Sequence, residues 1–593
     1  MLTDLILRLL PTQLPRSFAT DIATAVFWPR RGQGRVAEWP AVVELLALVA
    51  GIVAGVLGLP VVTVVCVAAA LLLDSVVTRS GSRLSTVLDF AGWGCATRAL
   101  LRWVVVLPVI GAPGLAAFTF LLAVGWLALV LGSFWLSNVS PMLHYVPGGS
   151  QPATTLAHAR VYRRVVVPPP VLVAAELVAV VASLWFPILW PLVLACGLVC
   201  AGYGGWGLLG ALRLARRSGA ADAALIAEVA ATGTATAVHV SGGSGQARYV
   251  AGQWDEAFAA LPVPPLWIVR EANQLAGLAP MASMVVLVKL RGQLEALCAP
   301  TVRVVFLAAH GQKNFELLRL RGLATVFLGH GDSDKVTSFD PVVTTYDQIW
   351  VAGPVAIERY RRAGIELADD RFVVVGRPQV EKLPVGPTGN ARPVVLYAPT
   401  FEGYTVAAQV SSLAAMGAAL VQRLLAEPVT VWFRPHPSAG VVAQAFRAAR
   451  QQVNGLVRTA GAPHWTQDDP PPMDSIAALA GADVLIADVS SMASDFLQTE
   501  RPIIAMNPLG LSEAEFRSRF PAHEASYIVS PGLDGLDAAL RDALGPDPLR
   551  EARIALKKRV LGDLPDGPLQ AFVDATARLV EQRTTELSAR REG

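Results

Sequence analysis

The order of apolar and polar positions divides the chain near residue 217. Before this point lie three long apolar blocks, at Ala41–Val77, at about 99–136 and at Val171–Leu212. Each block is longer than the roughly 20 residues that one membrane-spanning helix needs, and each is interrupted by Gly or Pro. Each block therefore predicts two spans joined by a tight turn. Residues 41–217 are expected to form three helical hairpins, or about six α-helical spans.

After Arg217 the pattern changes to short β-branched runs that alternate with Ala/Leu-rich stretches. Apolar strands without polar alternation predict parallel sheets covered by helices on both faces. Two such series, 235–380 and 393–545, predict two doubly wound Rossmann-type domains, followed by a C-terminal helical segment, 546–593. The Pro/Gly-rich segment Gln379–Arg392 is the predicted linker. The predicted strands are Ala237–Ser241, Leu266–Val269, Val302–Leu307, Thr325–Leu328, Ile349–Val351, Arg371–Val375, Val394–Tyr397, Val429–Phe433, Leu456–Arg458, Val484–Ile486, Pro502–Ala505 and Tyr527–Val529, and the predicted helices include Pro354–Ala363, Val406–Leu425 and Val441–Val453.

Charge orients the membrane region. Arginines lie before the first apolar block, between the blocks and after the third, whereas the turns inside the hairpins carry no Lys or Arg. The positive-inside rule then places both termini, the segment 1–40 and both Rossmann-type domains on the cytosolic side of the cell membrane. Residues 137–170 are expected to form a long cytosolic loop. The net charge of +3 is too small to favour a nucleic-acid partner.

Candidate chemistry lies where predicted strands end, because ligands of doubly wound sheets bind at the carboxyl ends of strands. After one strand, His330 stands between Gly329 and Gly331, and Lys335 follows five residues later. After another, Thr400 lies in a turn braced by a proline. The alternative for the His330 segment is a turn in which Asp or Ser caps a helix, and the alternative for the Thr400 segment is a plain turn.

Two further segments follow strands of the second series. Prolines flank His436 at the end of one strand, and Arg434 is two residues away. In the other, a strand runs directly into a helix with Ser490 and Ser491 near its N-cap, where free N–H groups and the helix dipole favour an anion. The simpler alternatives are a buried His436 whose hydrogen bonds are made within the protein, and a serine that only caps the helix. Four such segments across two matched domains nevertheless favour one shared site.

Metal and cofactor chemistry are not expected from the residues. The five cysteines lack metal-ligand spacing and form no disulfide framework. Asp332 and Asp334 lie close together, but a solvated loop explains this pair more simply than a metal site.

Over about residues 300–510 the chain resembles the CDP-glycerol glycerophosphotransferase family, the membrane-associated enzymes of teichoic acid synthesis. The chain departs from the family's pattern at Gly329, where Trp is usual, at Phe401-Glu402 in place of Trp-Arg, at a displaced Arg377, and at Val489 in place of an aromatic residue. The residues that carry the resemblance are His330-Gly331 with Lys335, Tyr397–Thr400, His436-Pro437, Asp488 with Ser490, Ser491 and Asp495, and Pro502–Ile504.

The resemblance implies a GT-B-like fold, with 235–380 on the acceptor side and 393–545 on the nucleotide donor side. It also implies that an acceptor hydroxyl attacks the β-phosphorus of a CDP-alcohol such as CDP-glycerol, which forms a phosphodiester and releases CMP. The acceptor is expected to be lipid-linked in the membrane. His330 is the expected base, although its role and that of His436 could be exchanged. The remaining expected roles are pyrophosphate binding by His436, Arg434 and the N–H groups of Ser490 and Ser491, assistance from Lys335 and Thr400, and support from Gly331, Asp488 and Asp495.

Other functions stay open at this point. A GT-B glycosyltransferase that uses a nucleotide sugar would share both domains and the phosphate site. A non-catalytic membrane scaffold with a degenerate transferase domain would explain the departures at Gly329 and Glu402. A transporter is less favoured, because the predicted spans contain few charged residues. The identity of the alcohol phosphate, the acceptor lipid and the oligomeric state are not defined by the sequence.

Overall fold

The structure, a computed structural model, describes part of the chain. The described residues are 121, 124–125, 127–128, 131–132, 141–166, 190–241, 252–275, 278, 281–335, 339–403, 409–470 and 473–592. The segment 1–40, the predicted first hairpin, most of the second and the first half of the third lie outside them.

The described part of the membrane region contains one helix that is long and apolar enough to cross a membrane, judged by length and composition alone. This helix, α2 (Trp190–Ala231), follows β1 (Leu143–Tyr145) and α1 (Ala153–Val166), and its candidate span is Ala195–Ala231. The helix continues past the arginines at 213–217, where the third apolar block was predicted to close. The loop predicted over 137–170 is wrong at Ala153–Val166, where α1 forms and contains three Ala and three Arg, which are good helix formers, whereas residues 146–152 have no helix or strand.

The chain divides into two compact units, of which the first comprises 1–144 and 151–225 and the second 145–150 and 226–593. Seven parallel strands in the described part of the second unit form the first sheet, in the order β4-β3-β2-β5-β6-β7-β8. Their apolar residues are almost all buried, as expected for strands covered on both faces. The elements are β2 (Thr236–Val240), α3 (Asp255–Ala259), β3 (Leu266–Val269), β4 (Val285–Leu287), α4 (Arg291–Cys298), β5 (Val304–Leu307), α5 (Asn314–Leu317), β6 (Ala324–Phe327), β7 (Gln348–Val351), α6 (Pro354–Arg362) and β8 (Phe372–Val374).

The second sheet is also parallel, in the order β11-β10-β9-β12-β13-β14. Two clusters of buried apolar side chains, one on each face, form its core. The α/β part of the predicted fold, with two parallel sheets in succession, is confirmed. The elements are β9 (Val394–Ala398), α7 (Leu413–Leu425), β10 (Thr430–Phe433), α8 (Gln444–Ala460), β11 (Trp465–Thr466), α9 (Ser475–Gly481), β12 (Val484–Ala487), α10 (Ser491–Phe496), β13 (Ile503–Met506), α11 (Glu513–Arg519), β14 (Tyr527–Val529), α12 (Leu536–Ala543), α13 (Arg550–Leu561) and α14 (Gly567–Glu592).

Three details of the second domain differ from the pattern-based prediction. The strand predicted at Leu456–Arg458 is wrong, because these residues belong to α8. In that helix Ala449, Val453 and Val457 recur every four residues and are buried on one face, a helical rather than an extended period. Helix α7 begins at Leu413 rather than Val406, and β11, which has only two residues, was missed.

The C-terminal helix returns to the first sheet. Phe572 of α14 is fully buried and packs against Phe306 of β5 and Trp350 of β7, at ring-centroid distances of 5.5 and 5.4 Å. It also contacts Trp254 at 5.7 Å. The segment that follows the second domain therefore completes the core of the first.

Candidate active site between the two Rossmann-type domains

His330 lies three residues beyond the end of β6. Gly329 has a φ of 64°, in the left-handed region that favours glycine, so the position before His330 would strain a larger side chain. The indole N–H of Trp254 donates to the carbonyl of Gly329 at 2.8 Å and fixes this turn. The His330 side chain is exposed, and a ring N–H donates to the carbonyl of Ala308. Partial burial lowers the pKa of His330 despite that bond, and the charges of Arg377 and Lys335 lower it further.

The loop after His330 is held by an ion-pair cluster. Arg359 of α6 contacts Asp332 at 2.6 Å and also pairs with Asp334, whose second oxygen accepts from the N–H of Ala522 at 2.9 Å. The side chains of Arg359 and Asp334 are almost completely buried, and burial raises the pKa of Asp334 although Arg359 opposes the shift. The prediction of a solvated loop here is wrong, because the guanidinium of a distant helix compensates both carboxylates.

Gly331 brings this loop against the second domain. A Cβ atom at position 331 would lie 3.0 Å from both Cβ and Oγ of Ser491, closer than ordinary packing permits. Ser491 is the first residue of α10, which begins directly after β12, and Ser490 is its N-cap. The Ser490 hydroxyl is buried and has no hydrogen-bond partner in the described part of the chain. The His-Gly turn and the Ser-Ser turn, predicted separately, thus face each other.

Lys335 and Thr400 connect the two domains. The ammonium group of Lys335 donates to the hydroxyl of Thr400. Asp488 accepts from the N–H of Thr400 at 2.8 Å and from the N–H of Ser412 at 3.0 Å, so it braces the Thr400 turn and the start of α7. Burial raises the pKa of Asp488 to about 6 against these bonds, and burial lowers the pKa of Lys335 to about 8.

His436 is fixed in one orientation by the turn that follows β10. Its Nδ1 accepts from the backbone N–H of Ser438 at 3.1 Å, and the backbone N–H of His436 donates to the carbonyl of Pro399 at 2.9 Å. The ring centroid lies 5.9 Å from that of Phe401. Burial lowers the pKa of His436 to about 4, assisted by the charges of Lys335, His330 and Arg434. The ring is therefore neutral near pH 7, and because Nδ1 accepts, Nε2 carries the proton.

Glu402 was considered only as a departure from the family pattern, yet it organises the turn that carries His436. Its carboxylate is almost fully buried and accepts from the N–H groups of Gly440, Val442 and Ala443 at 2.9 to 3.2 Å. These groups lead directly into the N-terminus of α8. Sequence reasoning missed this role, because the partners lie about forty residues away from the carboxylate.

Arg377 and Asp495 form a second connection. The guanidinium donates to both carboxylate oxygens of Asp495, at 2.9 and 3.2 Å, and both side chains are largely buried. Burial raises the pKa of Asp495, and Arg377 opposes that shift. Asp495 lies one turn into α10, so the pair anchors the helix that begins with the Ser490–Ser491 turn.

The structure thus brings all the candidate residues from both series to the cleft. His330, Lys335, Arg434 and His436 act on one another electrostatically, which shows that the ends of β6 and β10 converge. Thr400, Asp488 and the Ser490–Ser491 turn lie beside them. Within the described ranges no group of three or more His, Cys, Asp or Glu side chains could hold a metal ion.

Comparison with known proteins places part of this site in a family. Residues 379–508 match the family described as CDP-Glycerol:Poly(glycerophosphate) glycerophosphotransferase. No curated protein sequence matches the chain.

Solved structures with a similar arrangement include the wall teichoic acid polymerase TagF, with a TM-score of 0.41 and 13% identity over 62% of this chain and 95% of that one. Acinetobacter baumannii MurG has a TM-score of 0.35 and 13% identity over 58% and 99%. A putative UDP-N-acetylglucosamine 2-epimerase from Listeria monocytogenes has a TM-score of 0.38 and 10% identity over 57% and 94%. At these TM-scores the structural similarities do not indicate the function, and a functional proposal has to start from the family match and the site. Through its residues 379–508, the chain is similar to the family described as CDP-Glycerol:Poly(glycerophosphate) glycerophosphotransferase.

Proposed function

We propose that the protein transfers an alcohol phosphate, such as glycerol phosphate, from a CDP-alcohol to a hydroxyl of a lipid-linked acceptor. CMP is the second product, and the reaction extends or primes a teichoic-acid-like polymer of the cell envelope. The catalytic domains would work on the cytosolic side of the cell membrane. The observation that carries the proposal is the pair of imidazoles, His330 and His436, that extend from the two domains into one cleft with opposite hydrogen-bonding character.

His330 has the character of a general base. One ring N–H is engaged by the carbonyl of Ala308, so in the neutral ring the other nitrogen presents a lone pair. The lowered pKa keeps that lone pair unprotonated near neutral pH, as a base for a hydroxyl requires. His330 would therefore take the proton of the acceptor hydroxyl while the oxygen attacks the β-phosphorus.

His436 has the character of a donor. Its Nδ1 is occupied by the N–H of Ser438, so the neutral ring presents Nε2–H and has no second lone pair to act as a base. A neutral N–H aimed at phosphate oxygens stabilises the charge that develops when the bond between the β-phosphorus and the CMP oxygen breaks. Lys335 and Arg434 supply positive charge beside it. These contacts support the order of roles that the sequence left open, with His330 as base and His436 in phosphate binding.

Turnover tests this proposal. The full chain in lipid nanodiscs receives CDP-glycerol and a lipid-linked acceptor, and CMP release is followed. His330→Ala and His436→Ala should each reduce the rate by a factor of about 100 or more, in the range of general-base and phosphate-stabilising groups. The exposed Asp369 serves as the matched surface control through Asp369→Ala. Unchanged turnover in both histidine variants would refute the site.

A pair of glutamine variants separates the two roles. His436→Gln keeps an N–H donor near the position of Nε2 and should retain more activity than His436→Ala. His330→Gln offers no base and should be no better than His330→Ala. Equal rescue at both positions would contradict the assignment.

Calorimetric titration with CDP-glycerol, CDP-ribitol and UDP-sugars tests the class of donor. Preference for a UDP-sugar would favour a glycosyltransferase instead. Cytidine nucleotide binding without turnover would favour a non-catalytic scaffold.

A further inference from the structure

A second exposed histidine lies beside His330 on the first domain. Strands β5 and β6 are adjacent and parallel, with Leu307 paired with Phe327. His310 and His330 each follow three residues after these partners, and each precedes a glycine. The hydrogen bond from the ring N–H of His330 to the carbonyl of Ala308 joins the two turns. The charge on His330 also affects the pKa of His310. The imidazoles are therefore neighbours at the carboxyl edge of the sheet.

The plane of the His310 ring is fixed by stacking. Its centroid lies 4.3 Å from that of Phe327 with an interplanar angle of 10°, and Tyr346 is nearly parallel to both rings. Phe327 and Tyr346 are buried, whereas the His310 side chain is exposed. A buried aromatic pair thus holds an exposed imidazole at the cleft.

A chain of hydrogen bonds leads from Asn314 through the hydroxyl of Tyr346 to the ring of His310. The Asn314 amide nitrogen donates to the carbonyl of Ala309 at 2.9 Å and to the hydroxyl of Tyr346 at 3.2 Å, while its oxygen accepts from Ser241 at 3.0 Å. The Tyr346 hydroxyl, having accepted from Asn314, can donate to Nδ1 of His310, 3.4 Å away. In the tautomer in which Nδ1 accepts this hydrogen bond, Nε2 of His310 carries the proton and can donate at the cleft. Asn314, which donates to the Tyr346 hydroxyl, is buried.

We propose that His310 binds the acceptor substrate, through an Nε2–H that donates to an oxygen next to the attacking hydroxyl on the acceptor's terminal unit. This inference rests on the proposed function. His310 belongs to the sheet that carries the base, whereas Thr400, Arg434 and His436, the donor-phosphate groups, belong to the other. Donation to the attacking oxygen itself would lower its nucleophilicity, so a neighbouring oxygen is the productive partner. Partial burial lowers the pKa of His310, although Asp340 opposes the shift, and the lowered pKa favours the neutral ring.

Binding measurements test the proposal without turnover. Affinity for a short poly(glycerophosphate) oligomer and, separately, for CDP-glycerol is measured by calorimetry on the full chain in nanodiscs. His310→Phe keeps a stacking ring but removes the N–H, and it should weaken oligomer binding about tenfold, as expected for one lost hydrogen bond to a polar oxygen. CDP-glycerol affinity should stay within about twofold, which also shows that the variant is folded. His310→Gln, which restores an N–H, should recover part of the affinity.

Tyr346→Phe tests the hydrogen-bond chain. It removes only the hydroxyl that can donate to Nδ1 of His310 and should weaken oligomer binding by a smaller factor, about threefold. Tyr527→Phe, which removes another tyrosine hydroxyl bonded at 2.9 Å to Asp547, is the matched control and should leave oligomer binding unchanged.

The results separate the two proposals. The role of His310 would be overturned if His310→Phe bound the oligomer as tightly as the wild-type chain, or if it lost affinity for CDP-glycerol by the same factor as for the oligomer. This holds even if the wild-type chain transfers glycerol phosphate. A wild-type chain that binds the oligomer in a His310-dependent manner but does not release CMP from CDP-glycerol would support the role of His310 and overturn the proposed function.

Discussion

Replacing Glu402 by alanine should loosen the turn that carries His436. The carboxylate is almost fully buried and accepts from three backbone N–H groups, those of Gly440, Val442 and Ala443. Alanine removes every one of these acceptors at once. The N–H groups would be left without protein partners next to the catalytic cleft.

The size of the effect follows from that count. A buried N–H that loses its partner costs about 1–3 kcal/mol, so three cost roughly 3–9 kcal/mol, and water that enters the vacated space keeps the loss near 3 kcal/mol. Such a loss corresponds to a fall in Tm of roughly 6–12 °C for a domain of this size. Glu402→Gln should cost less, about 1 kcal/mol, because Oε1 alone contacts all three groups and only the contact of Oε2 with Gly440 becomes unfavourable.

The assay combines thermal unfolding with CMP release on the same preparations. Glu402→Ala should lower both Tm and kcat, the latter at least about tenfold, because a displaced His436 no longer meets the phosphate. Glu513→Ala is the matched control, since Glu513 is exposed and pairs only with Arg517 on the surface of α11. If Glu402→Ala and Glu513→Ala unfold at the same temperature, Glu402 does not hold the turn.

Two further predictions concern the cleft. The pH profile of kcat/KM should fall on the acid side, below the ordinary range of an imidazole, because burial lowers the pKa of His330, the proposed base. It should fall on the alkaline side near pH 8, where Lys335 loses its proton. Lys335→Arg should move the alkaline limb to higher pH, and an unchanged alkaline limb would show that it does not report Lys335. Gly331→Ala should lower kcat/KM about tenfold by pushing Ser491 away, and adding Ser491→Gly should restore part of the loss; steady-state kinetics that show no rescue would mean that the 3.0 Å approach does not limit activity.

Much of the candidate site follows from the sequence, because parallel strands place their carboxyl ends on one edge of a sheet. That rule alone brings His330 to the cleft of the first domain and His436 and the Ser490–Ser491 turn to that of the second. His310 obeys the same rule and carries the same His-Gly dipeptide, a signal that could have identified it.

Other features depend on contacts between distant segments. The buried clamp of Arg359 on Asp332 and Asp334, and that of Glu402 on the turn after His436, are tertiary arrangements that no local pattern encodes. The strand predicted at Leu456–Arg458 failed for a related reason. A short apolar run fits both the two-residue period of a strand and the 3.6-residue period of a helix. Only the full length of α8 shows that the helical period applies.

The lowered pKa values of the cleft have a consequence for ligand binding. Burial lowers the pKa of Lys335 to about 8 and that of His436 to about 4, so the empty cleft carries less positive charge than its basic side chains could supply. A bound pyrophosphate would raise these pKa values again, because its negative charge favours the protonated forms. Binding of the donor near pH 8 would then take up protons from solution, and donor affinity would weaken as the pH rises. Lys335 and His436 would thus gain positive charge when the anion that needs it arrives.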